Sequence, residues 1–193
     1  MPVTKQICDS LSDMEIISKS IDDVDYFRCI YIRYEKKLKR YISQISNFSE
    51  EEAEDILQNS FLKIWKNING YDKTIKFSSF IYRIVHNETV SLWRKSQSLE
   101  KFKEKYIYET ENEDTTISKE EKIKKQKILE ALNLLSEKYK EVLVLKFLEN
   151  MDYEEISDIL KIPEGTVATR INRAKKAFAK VIKNNKIKLE HLN

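Results

Sequence analysis

The chain has 193 residues, 35% of them charged and 41% hydrophobic, with 35 Lys and Arg against 32 Asp and Glu for a net charge of +3. That is enough for one or two small domains, and the balance describes a globular protein rather than a collagen-like, low-complexity or membrane-spanning one. No apolar run is long enough to cross a bilayer and MPVTKQICDS lacks a signal-peptide core, so a cytoplasmic location without membrane insertion is expected.

Two glycines and two prolines among so many Lys, Glu, Ile and Leu predict an all-α chain. The first clear helix starts at Ser12-Asp13 and gives way at Asp22-Asp23. The next is longer: Phe27, Ile30, Tyr31, Tyr34, Leu38, Tyr41, Ile42 and Ile45 follow helical spacing, with Arg28, Arg33, Lys36, Lys37, Lys39 and Arg40 on the other faces. Asn47-Phe48-Ser49 breaks it, and Ser49 with Glu52 forms a capping box for a third helix. There Ala53, Ile56, Leu57, Phe61, Ile64, Trp65 and Ile68 make an apolar stripe, leaving Glu52, Asp55, Gln58 and Asn59 opposite.

A fourth helix runs from about Ser78 to Lys95, with Phe80, Ile81, Ile84, Val85, Thr89 and Leu92 on its core side. Tyr71, Phe77, Tyr82 and Trp93 interleave with Lys73, Lys76, Arg83, Arg94 and Lys95, a composition that suits single-stranded nucleic acid and also suits an ordinary core. From Gln97 to Lys119 the helical pattern dissolves, and YETENEDTTISKEE is acidic, polar and nearly free of aliphatic residues, so 97–125 reads as a linker. Order resumes with KIKKQKILEALNLL, after which Ser136 caps a helix with Tyr139, Val142, Leu143 and Phe147 on one side.

A helix-turn-helix follows. Asp152 and Glu155 cap a short helix whose apolar face carries Tyr153, Ile156, Ile159 and Leu160; Lys161-Ile162-Pro163 ends it, and a second helix starts near Glu164. Val167, Ile171, Ala174 and Phe178 face its core, while Thr166, Thr169, Arg170, Arg173, Lys176 and Lys180 form a basic outer side. From Lys161 to Lys188 nine Lys or Arg stand against one acid, so this segment carries +8 and the remainder sums to about −5. Such a patch suits a polyanion, because each neutralised phosphate releases counterions.

Cys8 and Cys29 are not closely spaced and no His cluster accompanies them, so packed thiols are expected, with neither metal site nor disulfide. His86 and His191 stand apart from any partner set, and no catalytic dyad, nucleotide loop or cofactor motif is present, which speaks against a hydrolase or nuclease. Two classes fit the residues alone: a dimeric helix-turn-helix regulator with a palindromic site, and a module whose basic helix meets an acidic protein. The regulator leaves the Asp55 to Trp65 helix unexplained.

Two blocks, EEAEDILQNSFLKIW and LSEKYKEVLVLKFLENMDYEEISDILKIPEGTVATRINRAKKAF, resemble regions two and four of the extracytoplasmic-function (ECF) sigma factors, promoter-recognition subunits of bacterial RNA polymerase. The resemblance covers about Asp13 to Ile182 and implies two helical domains: region two over 1–96, an acidic linker over 97–125, region four over 126–183 and a basic tail over 184–193. It implies that Asp55, Gln58, Asn59 and Leu62 meet a coiled coil of the polymerase beta-prime subunit, and that the beta flap is a further contact. It implies that the 69–76 loop and fourth helix hold the melted minus-ten strand through Tyr71, Lys73, Lys76, Phe77, Tyr82, Arg83, His86, Asn87 and Arg94. The second helix of the helix-turn-helix would read the minus-thirty-five element with Glu164, Thr166, Thr169, Arg170, Arg173 and Lys176.

Ser91, Phe80 and Ala168 depart from the residues common at those family positions, where Asp, Trp and Lys are frequent. A missing cation at Ala168 lowers phosphate or base-edge contact by about one unit of salt slope, which points to help from an accessory DNA-targeting protein. An anti-sigma factor is the other partner that the family implies. No metal, cofactor or catalytic residue is expected.

Overall fold

The computed structural model describes residues 3–99 and 119–184, so residues 100–118 of the expected linker and residues 185–193 of the expected tail lie outside the described residues. The chain separates into two compact units. The first contains α1 (Lys5–Ser10), α2 (Asp13–Asp22), α3 (Phe27–Ile45), α4 (Glu50–Asn67) and α5 (Phe77–Leu99). The second is built from α6 (Lys119–Asn133), α7 (Glu137–Leu143), α8 (Tyr153–Leu160) and α9 (Glu164–Asn184). Among the described residues there is no strand.

Local chemistry sets the helix starts. In α2 and α4 a serine hydroxyl accepts the amide of a glutamate three residues on, and that glutamate's carboxylate accepts the serine amide: Ser12 with Glu15 at 3.3 and 2.7 Å, Ser49 with Glu52 at 3.1 and 2.8 Å. Two amide donors that the helix itself cannot satisfy are thereby paired at each end. Three glutamates in the first turn of α4 also lie where its dipole favours negative charge.

The core of the first unit is the three-way packing of α3, α4 and α5. Leu38, Tyr41 and Ile42 of α3, Ile56, Leu57 and Ile64 of α4, and Ile81 and Val85 of α5 are fully buried. At one end Phe27 stands edge-on to Trp65, ring centroids 5.0 Å apart, and Tyr31 lies 4.7 Å from Phe61. On the expected core side of α5, Phe80, Ile81, Val85 and Thr89 are buried, Ile84 is half-buried and Leu92 is exposed. Helix α5 continues through Leu99 and α6 begins at Lys119, so both ends of the expected linker are helical.

Two corrections concern the beginning of the chain. A six-residue helix, α1, precedes the first predicted one, capped by the Thr4 hydroxyl. More consequentially, Cys8 and Cys29 are joined by a disulfide across 21 residues of sequence. Spacing argued against a pairing because it carries no information about approach in space, and folding α1 onto α3 supplies that approach. Arg33, expected on the basic outer side of α3, is half-buried beneath α1: its guanidinium donates to the Cys8 and Leu11 carbonyls at 2.6 and 2.7 Å and pairs with Asp13. Asp13 also accepts from the Tyr34 hydroxyl, and burial together with that carboxylate pushes the Tyr34 phenol far above its usual range.

In the second unit, α7 and α6 pack on α9, and Val142, Leu143, Val144, Leu145, Ile156, Val167, Ile171 and Ala174 are buried. Phe147 and Tyr153, both expected on core faces, are 52% and 38% exposed. For Phe147 the cause is a π-helical turn over Val144–Leu148, in which the Glu149 amide reaches back to the Val144 carbonyl at 3.0 Å. One extra residue in that turn shifts the phase of the side chains within it, leaving Val144 and Leu145 inward and Phe147 outward; Tyr153 stands at the first position of the separate helix α8. Lysines cover the displaced rings, Lys175 over Phe147 and Lys146 over Tyr153 at 5.9 and 5.1 Å from the centroids.

Leu57 and Leu62 of α4 separate packing from surface: the first is fully buried and the second 58% exposed. Leu57→Ala is expected to lower unfolding free energy by about 2 to 5 kcal/mol in denaturant titration, and Leu62→Ala to change it by no more than about 0.5 kcal/mol.

Candidate nucleic-acid interface

Helix α4 buries Ala53, Ile56, Leu57, Ser60, Phe61 and Ile64, and the same 3.6-residue period turns Asp55, Gln58, Asn59 and Leu62 outward, all exposed. Leu62, 58% exposed, thus stands among a carboxylate and two amides, giving this outward face a small apolar centre with polar surroundings.

The loop after α4 begins with a single turn, Ile68–Gly70, and is closed by Asp72, whose carboxylate accepts the Thr74 amide at 2.9 Å and hydroxyl at 2.7 Å. Those two donors hold the Asp72 carboxyl below its usual value. Tyr71 points inward: its ring lies 5.2 Å from Phe77 and 5.1 Å from Phe80, and its hydroxyl donates to the Ile75 carbonyl. Lys73 and Lys76 are exposed on this loop.

On α5, Tyr82 packs 5.1 Å from Tyr41, and His86 Nδ1 is hydrogen-bonded to the Tyr41 hydroxyl at 2.9 Å. Burial pushes the His86 imidazole down to about 4, and the Arg94 charge acts in the same direction. Tyr71, Phe77, Tyr82 and His86 are therefore buried side chains, and none offers a free ring face in this structure. Aromatics at helical spacing went to the core, where each ring removes a large apolar area from water. What the structure leaves on the outside is polar: Lys73, Lys76, Asn87 and Arg94 exposed, Arg83 half-buried.

The helix-turn-helix is built as its residues dictate. The Asp152 amide donates to Glu155 Oε2 at 3.0 Å and the Glu155 amide to Asp152 Oδ1 at 2.8 Å, starting α8. Lys161 adopts a left-handed backbone with φ of 53°, and the Ser157 hydroxyl donates to the Ile162 carbonyl at 2.7 Å, closing the turn. The Pro163 carbonyl then accepts from Thr166 and Val167 at 2.8 and 3.0 Å as α9 begins. With Val167, Ile171 and Ala174 buried, Glu164, Thr169, Arg173 and Lys176 are exposed and Thr166 and Arg170 half-exposed along one helix. The Thr169 hydroxyl donates back to the Gly165 carbonyl at 2.8 Å. Ala168 is half-buried among these residues.

Sequence reasoning missed the Arg33 fork and the disulfide, which depend on α1 folding over α3. Among the described residues no group of three or more His, Cys, Asp or Glu is placed to hold a metal ion, and no helix is long and apolar enough to cross a membrane.

His86 makes the acid side of the stability profile testable. Its folded pKa lies below its unfolded value near 6.5, so the unfolded chain takes up the proton first and stability falls as pH drops from about 6.5 toward 4. The melting temperature of the wild type should fall over that window more steeply than that of His86→Gln, as read by circular dichroism; parallel declines would assign the loss to other groups.

Comparison with known proteins bears on both units. Residues 30–99 match the family model "Sigma-70 region 2" and residues 125–178 match "Sigma-70, region 4". The ECF RNA polymerase sigma factor SigW of Bacillus subtilis is 33% identical over 177 residues, covering 84% of this chain and 91% of that protein. The ECF RNA polymerase sigma-E factor of Escherichia coli K12 is 25% identical over 183 residues, covering 88% and 94%. Among solved structures, CnrH in complex with the cytosolic domain of CnrY matches with a TM-score of 0.67 at 18% identity, over 88% of this chain and 96% of that one. The sigma factor RpoE bound to the anti-sigma factor NepR, from Bartonella quintana, matches with a TM-score of 0.67 at 20% identity, over 81% and 96%. These two likenesses are of fold.

Proposed function

Given that this chain belongs to the ECF group of RNA polymerase sigma factors, we propose that its two units divide promoter-directed initiation between them, the first docking on core polymerase and opening the minus-ten element and the second reading the minus-thirty-five element. The protein directs core polymerase to promoters. Sigma factors are non-catalytic initiation subunits, and this chain's contribution is binding energy.

The observation that carries the assignment of roles is the outward face of α4, where Leu62 stands exposed beside Asp55, Gln58 and Asn59 over a fully packed inner face. A dimeric regulator has no use for it. On this reading the face seats the beta-prime coiled coil, leucine to apolar groove and carboxylate and amides to the rim. In the second unit α9 enters the major groove, Thr166, Thr169 and Arg170 toward base edges and Arg173 and Lys176 toward phosphates, while the beta flap contacts the same unit.

Strand opening follows from differential binding. Separating base pairs costs unstacking energy, and a surface that holds the unpaired strand better than the duplex shifts that equilibrium. Lys73, Lys76, Arg83, Asn87 and Arg94 are the groups available to hold phosphates and base edges. Tyr71, Phe77, Tyr82 and His86 act beneath them: their packing fixes the loop and helix so that the polar groups are preorganised. Ala168 keeps α9 one cation short, so an accessory DNA-targeting protein supplements its grip, and an anti-sigma factor holds the free chain inactive. The protein works in the cytoplasm, at the nucleoid when joined to polymerase.

Two measurements test this. In a pull-down with bacterial core polymerase, wild type binds and Asp55→Ala/Gln58→Ala loses about tenfold or more in affinity while keeping its circular dichroism and melting temperature; equal binding by the double variant removes α4 from the interface. For Arg173→Ala, nonspecific binding to duplex DNA should weaken across all sequences and the salt slope should shrink by about one. An unchanged slope means that Arg173 touches no phosphate.

A further inference from the structure

Helix α1 is held by very little. Six residues are far too few for a helix to persist alone in water, and of residues 3–11 only Val3 and Cys8 are buried. Its attachments to α3 are the Cys8–Cys29 disulfide, 2% and fully buried at its two ends, and the Arg33 guanidinium that spans the Cys8 and Leu11 carbonyls and the Asp13 carboxylate. These are two separate clasps, one covalent and one polar, closing on the same two turns of chain.

We propose that Cys8 and Cys29 are a reversible thiol–disulfide site, a redox clasp that locks residues 3–11 onto α3 when oxidised and releases them when reduced. The inference rests on the sigma-factor reading for one premise: a chain that works in the cytoplasm meets dithiol reductants, where a disulfide is a transient, signalling state rather than a permanent staple. The chemistry is two-step exchange. A thiolate of a small dithiol attacks one protein sulfur, the S–S bond breaks, and the second reductant thiol displaces the remaining protein thiolate. The reductant leaves as a disulfide with two electrons fewer, and both cysteines take up protons. Oxidation by a low-molecular-weight disulfide such as glutathione disulfide runs the same exchange in reverse and releases two glutathione thiols.

The burial of both sulfurs shapes the kinetics. No thiolate can reach them until α1 lifts from α3, so reduction is gated by that opening and its rate levels off at high dithiol concentration. Arg33 holds the gate. Because it bonds to two carbonyls and a carboxylate, Arg33→Met should open it more often and raise the reduction rate by about tenfold or more, although Arg33 touches neither sulfur. The released end is not remote from the rest of the unit. Cys29 lies two residues from Phe27, whose ring packs on Trp65 and Phe61 of α4.

The experiment uses the full wild-type chain, without polymerase, equilibrated in glutathione–glutathione disulfide mixtures, trapped with N-ethylmaleimide and read by intact-mass and peptide mass spectrometry, with amide hydrogen exchange on the two end states. The expected result is a chain carrying two labels or none, with a Cys8–Cys29 linked peptide in the unlabelled form and exchange over Lys5–Ser10 at least tenfold faster after reduction. Two free thiols at every ratio, or glutathione adducts in place of the internal bond, would overturn the proposal. An internal bond whose reduction leaves exchange over Lys5–Ser10 unchanged would overturn it equally, because the clasp would then control nothing. Failure of polymerase binding would count against the sigma-factor reading and leave these readouts untouched.

Discussion

A helix of eighteen residues laid against two neighbours can hide only one side, and the first unit depends on how α4 resolves that constraint. Ile56, Leu57, Phe61 and Ile64 fill the space between α3 and α5, each fully or nearly fully removed from water. Because the period is fixed, the choice of those four also fixes which side chains cannot be hidden: Asp55, Gln58, Asn59 and Leu62. The outward face of α4, to which docking is proposed, is thus the geometric complement of the core, held rigidly by it. A binding surface built on a packed helix loses little conformational entropy when its partner arrives.

The same economy governs the side proposed to hold the melted strand. Tyr41 sits at the centre of a small buried group, its hydroxyl on His86 and its ring against Tyr82, while at the loop end of α5 Phe77 stacks on Phe80 and Tyr71 meets Phe77 edge-on. Aromatics that sequence reasoning offered to nucleic acid are committed to shaping the surface from below. In the second unit α9 repeats the logic, since burying Val167, Ile171 and Ala174 turns Arg173 and Lys176 outward.

Local features were legible in the sequence because their causes are local. The Ser49–Glu52 and Asp152–Glu155 boxes, the Lys161-Ile162-Pro163 turn and the apolar stripes of α3, α4 and α9 each follow from residues within a turn or two of one another. What was missed depends on contacts across distance or on a change of period. The Cys8–Cys29 bond needs α1, too short to be recognised by periodicity, to be folded over α3. Phe147 fell on the wrong face because a π-turn breaks the 3.6-residue rule that placed it. Composition could not decide whether the rings near α5 were core or contact, and only their centroid distances do.

The most direct measurement of the central claim is transcription by purified core polymerase on fragmented genomic DNA from the source bacterium, with and without this chain, followed by sequencing of the RNA 5′ ends. The account predicts a set of start sites that appears only when the chain is present and shares a pair of upstream elements at fixed spacing. Identical 5′ ends with and without the chain would contradict it.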